Sequence, residues 1–254
     1  MASALLWMVA VSNKKFHIVI LAAGVGRRLR PLTLNKPKPL VVINGINMLT
    51  RLIHDIPCNQ VKSMSIVIGY HGKLIEDCVN DMNLPYVVKF YKSPNYNSTH
   101  CSASLALVRA ILPKGAFLFN SDIVFNTGVL KSIFEFSEEG SFVVCKKPDK
   151  DFFSDLQKVK ACDGVVQEWS LNLDVYTSEV IGPVYINKLD GGVIKQYIDN
   201  NLLLVNKMPC FTFLSKILVN GRTLELLVMQ NDCFEIDDIE DLKIASKLLK
   251  TSYE

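Results

Sequence analysis

Short apolar runs separated by helix-length stretches dominate the first 147 residues, and they leave few folds open. Residues 16–22 (FHIVILA), 65–69 (SIVIG), 86–91 (YVVKFY), 116–119 (AFLF) and 141–145 (SFVVC) have the length and β-branched character of strands buried on both faces. Helix-like stretches lie between them at 46–56, 72–82, 102–112 and 128–136. Such alternation predicts an α/β fold whose mostly parallel, doubly wound sheet carries helices on both faces.

The remainder is patterned differently. Segments 156–161 and 165–169 flank Cys162-Asp163-Gly164, a hairpin signal with Asp-Gly at its turn. A strand at 180–186, helices at 192–200 and 211–218, a strand at 224–229 and a helix at 238–249 follow. No internal repeat, low-complexity tract or linker interrupts the chain. The expectation is one Rossmann-like domain over 16–254, with a mixed-strand C-terminal half.

Composition narrows the function. Of 254 residues, 49% are hydrophobic and 21% charged, which suits one large core and excludes intrinsic disorder. A net charge of +3 is too balanced for a dedicated polynucleotide binder, so nucleic acid is not an expected partner. A positive field must then be local, as for a small anionic ligand. The seven cysteines (58, 78, 101, 145, 162, 210 and 233) include no C-x-x-C pair. Neither a zinc ribbon nor a disulfide framework is indicated, and reduced thiols in a cytoplasmic protein are the simplest expectation. Residues 1–11 are apolar but lack a basic start, and they reach only about half the roughly 20 residues of a membrane span. Residues 1–15 are therefore expected to be an apolar lead-in.

The most informative segment is LAAGVGRRLRPLT at 21–33, followed by KPKPL at 36–40. A strand runs into a glycine-containing loop, where backbone N–H groups can approach an anion with no Cβ in the way. Arg27, Arg28, Arg30, Lys36 and Lys38 follow, a density of cations that suits a nucleoside triphosphate. The loop is not a Walker A motif, because Gly-Lys-[Ser/Thr] is absent. Nor is it the dinucleotide fingerprint, since Leu29 stands where the third glycine belongs.

The whole string resembles the signature of the nucleotidyltransferases that make nucleotide sugars and CDP-alcohols. That family joins an NTP to a phosphorylated acceptor and releases pyrophosphate. The resemblance implies a nucleotide-binding half at 16–147 and an acceptor-binding half at 148–254. It places the backbone of Leu21, Ala22, Ala23, Gly24 and Gly26 around base and phosphates, with Arg27 beside them. Arg28 would bind the triphosphate, and Lys38 would hold phosphoryl oxygens near the reacting centre. Residues 95–105 are similar to the family's "N-x-x-x-S-L" element beside the base, with His100 in place of the usual Asn and Ser104 at the serine. For His100, a plain helix-start residue is the competing interpretation.

Nucleotidyl transfer calls for Mg²⁺ to neutralise phosphates. Asp122 follows the strand at 116–119, where open α/β sheets bind ligands. Asp237 lies in EIDDIED at 235–241, similar to the "E-I-D-x-x-x-D" of bacterial phosphocholine cytidylyltransferases. The resemblance assigns Asp122 and Asp237 to the metal, with Glu235 or Asp238 as substitutes. The alternatives are a turn for Asp122 and, for Asp237 with Asp238, a helix N-cap.

The compact outline also resembles the phosphocholine-type enzymes. A quaternary ammonium would want an aromatic face and a carboxylate, which Trp169, Tyr176, Glu179 and Tyr185 could supply. EVIG at 179–182 is similar to an "E-x-I-G" bordering the acceptor site in relatives, and Lys146 and Lys147 are candidates for the acceptor phosphate. Core aromatics and a solvated lysine pair are the bland alternatives. The expected reaction is CTP plus a phosphocholine-like alcohol phosphate. A sugar 1-phosphate with UTP, dTTP or GTP comes second, and a non-catalytic nucleotide-binding module third. A homodimer is expected by analogy alone.

Overall fold

The structure, a computed structural model, describes residues 14–136, 140–148, 156–219, 222–229 and 233–249. Nearly all of the expected lead-in lies outside these residues. β1 (Phe16–Ala22) is buried along its whole length because both its faces are covered. Two single-turn 3₁₀ segments, Arg27–Leu29 and Lys38–Leu40, follow it, then a small ribbon of β2 (Val42–Ile43) and β3 (Ile46–Asn47). Next come α1 (Met48–Asp55), β4 (Val61–Ile68), α2 (Gly72–Asn80), β5 (Val87–Lys92) and α3 (Cys101–Leu107). β6 (Ala116–Asn120), β7 (Ile123–Phe125), α4 (Val129–Glu135) and β8 (Ser141–Lys146) complete this half.

The second half adds β9 (Lys158–Cys162), β10 (Val165–Ser170), β11 (Ser178–Ile186) and α5 (Lys188–Asn200). It continues with α6 (Leu202–Val205), α7 (Cys210–Leu218), β12 (Leu224–Met229), β13 (Cys233–Glu235) and α8 (Ile239–Leu248). Strands from both halves join one nine-stranded sheet in the order β5-β4-β1-β6-β11-β8-β12-β10-β9. β5, β4, β1 and β6 run parallel, whereas β11 enters antiparallel between β6 and β8. The protein is a mixed α/β fold with a doubly wound sheet.

Alternate side chains of β1 feed two cores. Val19 and Leu21 pack with α3, α5 and α7, while Ile18, Ile20 and Ala22 pack with α1, α2 and α4. A third, smaller core joins Leu29, Ile43, Met48 and Val124 to Ile236 and Ala245 of the C-terminal segment.

Several boundaries depart from the sequence expectation. α3 begins at Cys101 and stops at Leu107, and a separate 3₁₀ turn forms at Leu112–Lys114 around Pro113. Proline disfavours α-helix in the residue before it. α5 starts four residues earlier than expected, because the Asn187 side chain caps it by accepting from the Asp190 N–H. The β9–β10 turn matches expectation: Asp163 and Gly164 both have positive φ, at 50° and 76°, as a two-residue hairpin turn requires. The ribbon of β7 with β13 has no counterpart in the sequence interpretation, and it decides the site.

Candidate active site

The loop leaving β1 is held open by backbone constraints. Gly26 has φ +66°, and a Cβ there would sit 2.7 Å from the Cβ of Lys38, so only glycine lets the lysine pass beneath the loop. The Thr33 hydroxyl donates to the Gly26 carbonyl at 2.8 Å, and Leu29 anchors the segment in the third core. Pro37 and Pro39 bracket Lys38 and fix its backbone at the start of a 3₁₀ turn. The lysine is thereby committed to one direction, inward.

The Lys38 ammonium donates to Asp122 Oδ2 and to Asp237 Oδ1, both at 2.7 Å. Burial alone would disfavour the ammonium, but Asp122 and Asp237 outweigh it and hold the pKa above the ordinary lysine value. Arg28, largely exposed, reaches the other oxygen of Asp237 at 2.7 Å. Burial would raise the Asp237 pKa; Lys38 first, and then Arg28, reverse this and hold it below the usual carboxylate value.

Two acids 115 positions apart meet because β7 pairs antiparallel with β13, Ile123 opposite Glu235, and the Ile236 N–H donates to the Asp122 carbonyl at 2.9 Å. The capping question is also resolved. Asp238 caps α8, accepting from Glu240 and Asp241, while the Asp241 side chain returns to the Asp237 and Asp238 N–H groups. Asp237 is left free to face Lys38. Glu235 stands beside this pair. Burial, then Asp122 and Asp237, push its pKa well above the carboxylate range, with Lys38 opposing.

One oxygen from each of Asp122, Glu235 and Asp237 lies within 4.8 Å of the others. Asp122 Oδ1 is buried and has no hydrogen-bond partner among the described residues. A hard divalent cation takes oxygen donors of this kind, so the residues fit one.

Beside these acids opens a cavity of about 220 Å³ lined by Leu21, Ala23, Gly24, Lys38, His100, Ser104 and Asp122. Seven residues singled out in sequence thus converge on one space. Ala22 turns its side chain into the opposite core, which leaves it only backbone to offer, and Arg27 is exposed outside the lining. Tyr96 and Thr99, inside the expected 95–105 element but not singled out, also line the cavity, as do Asn120 and Ser121, which were missed. The polar Asn120-Ser121-Asp122 at the end of an apolar strand was the available signal.

The expected acceptor residues divide. Lys146 and Glu179 are register partners on β8 and β11, with Nζ and Oε2 3.5 Å apart, and Glu179 is only 2% exposed. The Tyr176 hydroxyl donates to Glu179 at 3.4 Å. Trp169 and Ser178 both pair with Val159, which places the Trp169 side chain on the sheet face opposite that of Glu179. The expected box of an aromatic ring against that carboxylate is therefore not formed. Trp169 packs on Phe211 (ring centroids 5.7 Å apart), and its indole N–H is buried with no partner among the described residues. Gly182 lies near both Phe211 and Ile123, connecting Trp169 to the neighbourhood of Asp122. Tyr185 needs a correction. It sits among Phe16, Phe117 and Phe142, with centroids 5.0–5.6 Å away, and its partner Phe142 lies four residues, about 13 Å, along β8 from Lys146, the partner of Glu179. It is a core aromatic at the far end of the sheet.

The profile of the nucleotidyl transferase family matches residues 17–151. The 2-aminoethylphosphonate cytidylyltransferase of Lancefieldella rimae is 30% identical over 111 residues, 44% of this chain and 44% of that protein. The chain thus spans less than half the length of that relative. The CTP:phosphoglutamine cytidylyltransferase of Campylobacter jejuni is 22% identical over 248 residues, covering 90% of this chain and 98% of the other. Among solved structures, the CTP:phosphocholine cytidylyltransferase of Streptococcus pneumoniae superposes with a TM-score of 0.74 at 19% identity, over 93% of this chain and all (100%) of that one. The matched profile covers the loop, Lys38 and Asp122 and more than half of the sequence: this chain belongs to the nucleotidyl transferase family.

Proposed function

We propose that this protein transfers the cytidylyl group of CTP to a small phosphorylated acceptor, a phosphocholine-like alcohol phosphate in the first place, with release of pyrophosphate. The observation that carries the proposal is the buried Lys38 ammonium bridging Asp122 and Asp237 at the mouth of the glycine loop. Relatives that use CTP support the choice of base. An acceptor small enough for a compact site is supported by the similarity to CTP:phosphoglutamine cytidylyltransferase over nearly the whole chain.

In this reaction an anionic oxygen of the acceptor attacks the α-phosphorus in line. A new P–O bond forms, the α–β bridging P–O bond breaks, and pyrophosphate leaves with the electron pair. No general base is needed, because the attacking oxygen carries no proton at neutral pH. Backbone N–H groups of residues 24–26 receive the phosphates, and Arg28 takes the outer triphosphate oxygens in its fork. Lys38, fixed by two carboxylates and kept charged, offers its remaining donor capacity to charge developing at the reacting phosphoryl group. Asp122 and Asp237, with Glu235 adjacent, would hold Mg²⁺, which when bound neutralises phosphate charge. Beyond the reaction centre, the unpaired indole N–H of Trp169, which shares a core with Leu21 and Ala23 of the cavity wall, is the acceptor-side group, while the Lys146–Glu179 pair lies on the other sheet face.

Pyrophosphate release with Mg²⁺ tests the proposal, with CTP, UTP, GTP, dTTP and ATP each offered against phosphocholine, other alcohol phosphates and hexose 1-phosphates. Turnover with CTP and an alcohol phosphate is expected. Turnover with hexose 1-phosphates alone would overturn both the base and the acceptor while leaving the transferase. Silence across the panel with NTP binding intact would favour a nucleotide-binding module.

A further inference from the structure

Two cysteines from opposite halves of the chain meet at the cavity wall. Cys101 opens α3 and Cys210 opens α7, and the Cys210 backbone N–H donates to Cys101 Sγ at 3.0 Å. Cys101 is an exposed residue that lines the same cavity as Lys38 and Asp122, whereas Cys210 is 2% exposed. Cys101 thus lies on the cavity wall, and the backbone of a buried second cysteine is in contact with its sulfur. That is the placement of an attacking and a resolving cysteine.

The electrostatics agree with this placement. The contact with the Cys210 thiol, aided by its N–H, pulls the Cys101 pKa down to about 7 against desolvation. The same contact, with burial, pushes the Cys210 thiol up. The opposed directions make Cys101 the more acidic thiol of the pair, although Asp122 across the cavity works against its ionisation.

The pair is also wired to the cavity. His100 N–H donates to the Asn206 carbonyl at 3.3 Å, and the Ser102 hydroxyl bonds the carbonyls of Val205 and Met208. Three consecutive residues of the α3 start are thus clasped to the segment 205–210, and His100, Cys101 and Ser104 face the cavity. A covalent change at Cys101 would be felt where the nucleotide is proposed to lie.

We propose that Cys101 is a peroxide-reactive thiol and that its oxidation closes a disulfide with Cys210, altering the cavity. The Cys101 thiolate attacks one oxygen of hydrogen peroxide. The O–O bond breaks, hydroxide leaves, and a sulfenic acid forms. The Cys210 sulfur then attacks the sulfenic sulfur, its proton goes to the departing hydroxyl, and water is released. Peroxide gains the two electrons that the two thiols lose, and a dithiol reductant reverses the bond. Only the effect on nucleotide affinity rests on the function proposed above; the thiol chemistry does not.

The test treats the whole protein with hydrogen peroxide near neutral pH and maps its peptides by mass spectrometry without reduction. A linked Cys101–Cys210 pair should accumulate ahead of oxidation at Cys58 and Cys162, which are also exposed. The oxidised protein should bind CTP several-fold more weakly and recover with dithiothreitol. In Cys210→Ser, dimedone should trap a persistent sulfenic acid at Cys101. Oxidation of Cys101 no faster than Cys58 and Cys162, or a disulfide to another cysteine, would overturn the site. A linked pair with unchanged CTP affinity would overturn its coupling to the cavity. Untreated protein that fails to bind CTP would count against the transferase reading, and the peptide map would still decide the thiol pair.

Discussion

The two ends of this site are built differently. The nucleotide end is written in one continuous stretch, residues 21–40, where glycines and prolines fix the backbone and Lys38 has one direction to go. The acceptor end proposed above draws on Trp169 and, on the other sheet face, Lys146 and Glu179, whose positions depend on strand register within a mixed sheet. Local stereochemistry determines the first. Long-range pairing determines the second, and a one-residue change of parity there moves a side chain to the other face.

This contrast can be broken experimentally. Asp122→Asn keeps the shape of the reaction centre but removes a charge on which Lys38 and the proposed cation both depend. Its turnover should fall roughly a thousandfold, equivalent to about 4 kcal/mol of barrier, with a circular dichroism spectrum like that of the native protein. Near-normal steady-state rates would remove Asp122 from the reaction. Lys38→Ala should lower kcat by about a hundredfold, more than it changes the KM for CTP. An effect confined to KM would mean that Lys38 only binds the ground state.

At the acceptor end the expected effects are smaller and fall on different constants. Trp169→Phe retains the ring and deletes the unpaired N–H. It should raise the acceptor KM by roughly tenfold, about the worth of one hydrogen bond to a charged group, and leave the KM for CTP alone. Identical acceptor kinetics would take the indole out of the acceptor pocket. Tyr185→Phe, in the aromatic core, should leave both KM values unchanged and alter stability by no more than about 1 kcal/mol. A shift in acceptor KM would contradict its placement at the far end of β11.

What could be read from the chain follows the same division. The strands at 16–22 and 224–229 were legible to the residue, because apolar runs of strand length bounded by polar residues have few other uses. The loop and Lys38 were legible for a related reason. Asp237 was assigned in sequence by resemblance, with Glu235 and Asp238 as substitutes and a helix N-cap as its alternative role. Which of them caps α8 is a matter of backbone direction, and the Asp238–Asp241 capping box settled it. Tyr185 was misplaced because its aromatic character was weighed and its place in the strand was not: the strand expected at 180–186 already carried it to the end away from Glu179. The ribbon of β7 with β13 was invisible: three-residue strands carry almost no periodic signal, yet this one brings Asp122 to Asp237.

We propose that Asp122 and Asp237, brought together by that ribbon and bridged by Lys38, form one cation site shared with the nucleotide. The most direct test is Mn²⁺ binding to the protein–CTP complex by electron paramagnetic resonance, in the native protein, Asp122→Asn and Asp237→Asn. The account predicts that each substitution weakens Mn²⁺ binding at least about tenfold while CTP still binds. Native Mn²⁺ affinity in both variants would contradict it.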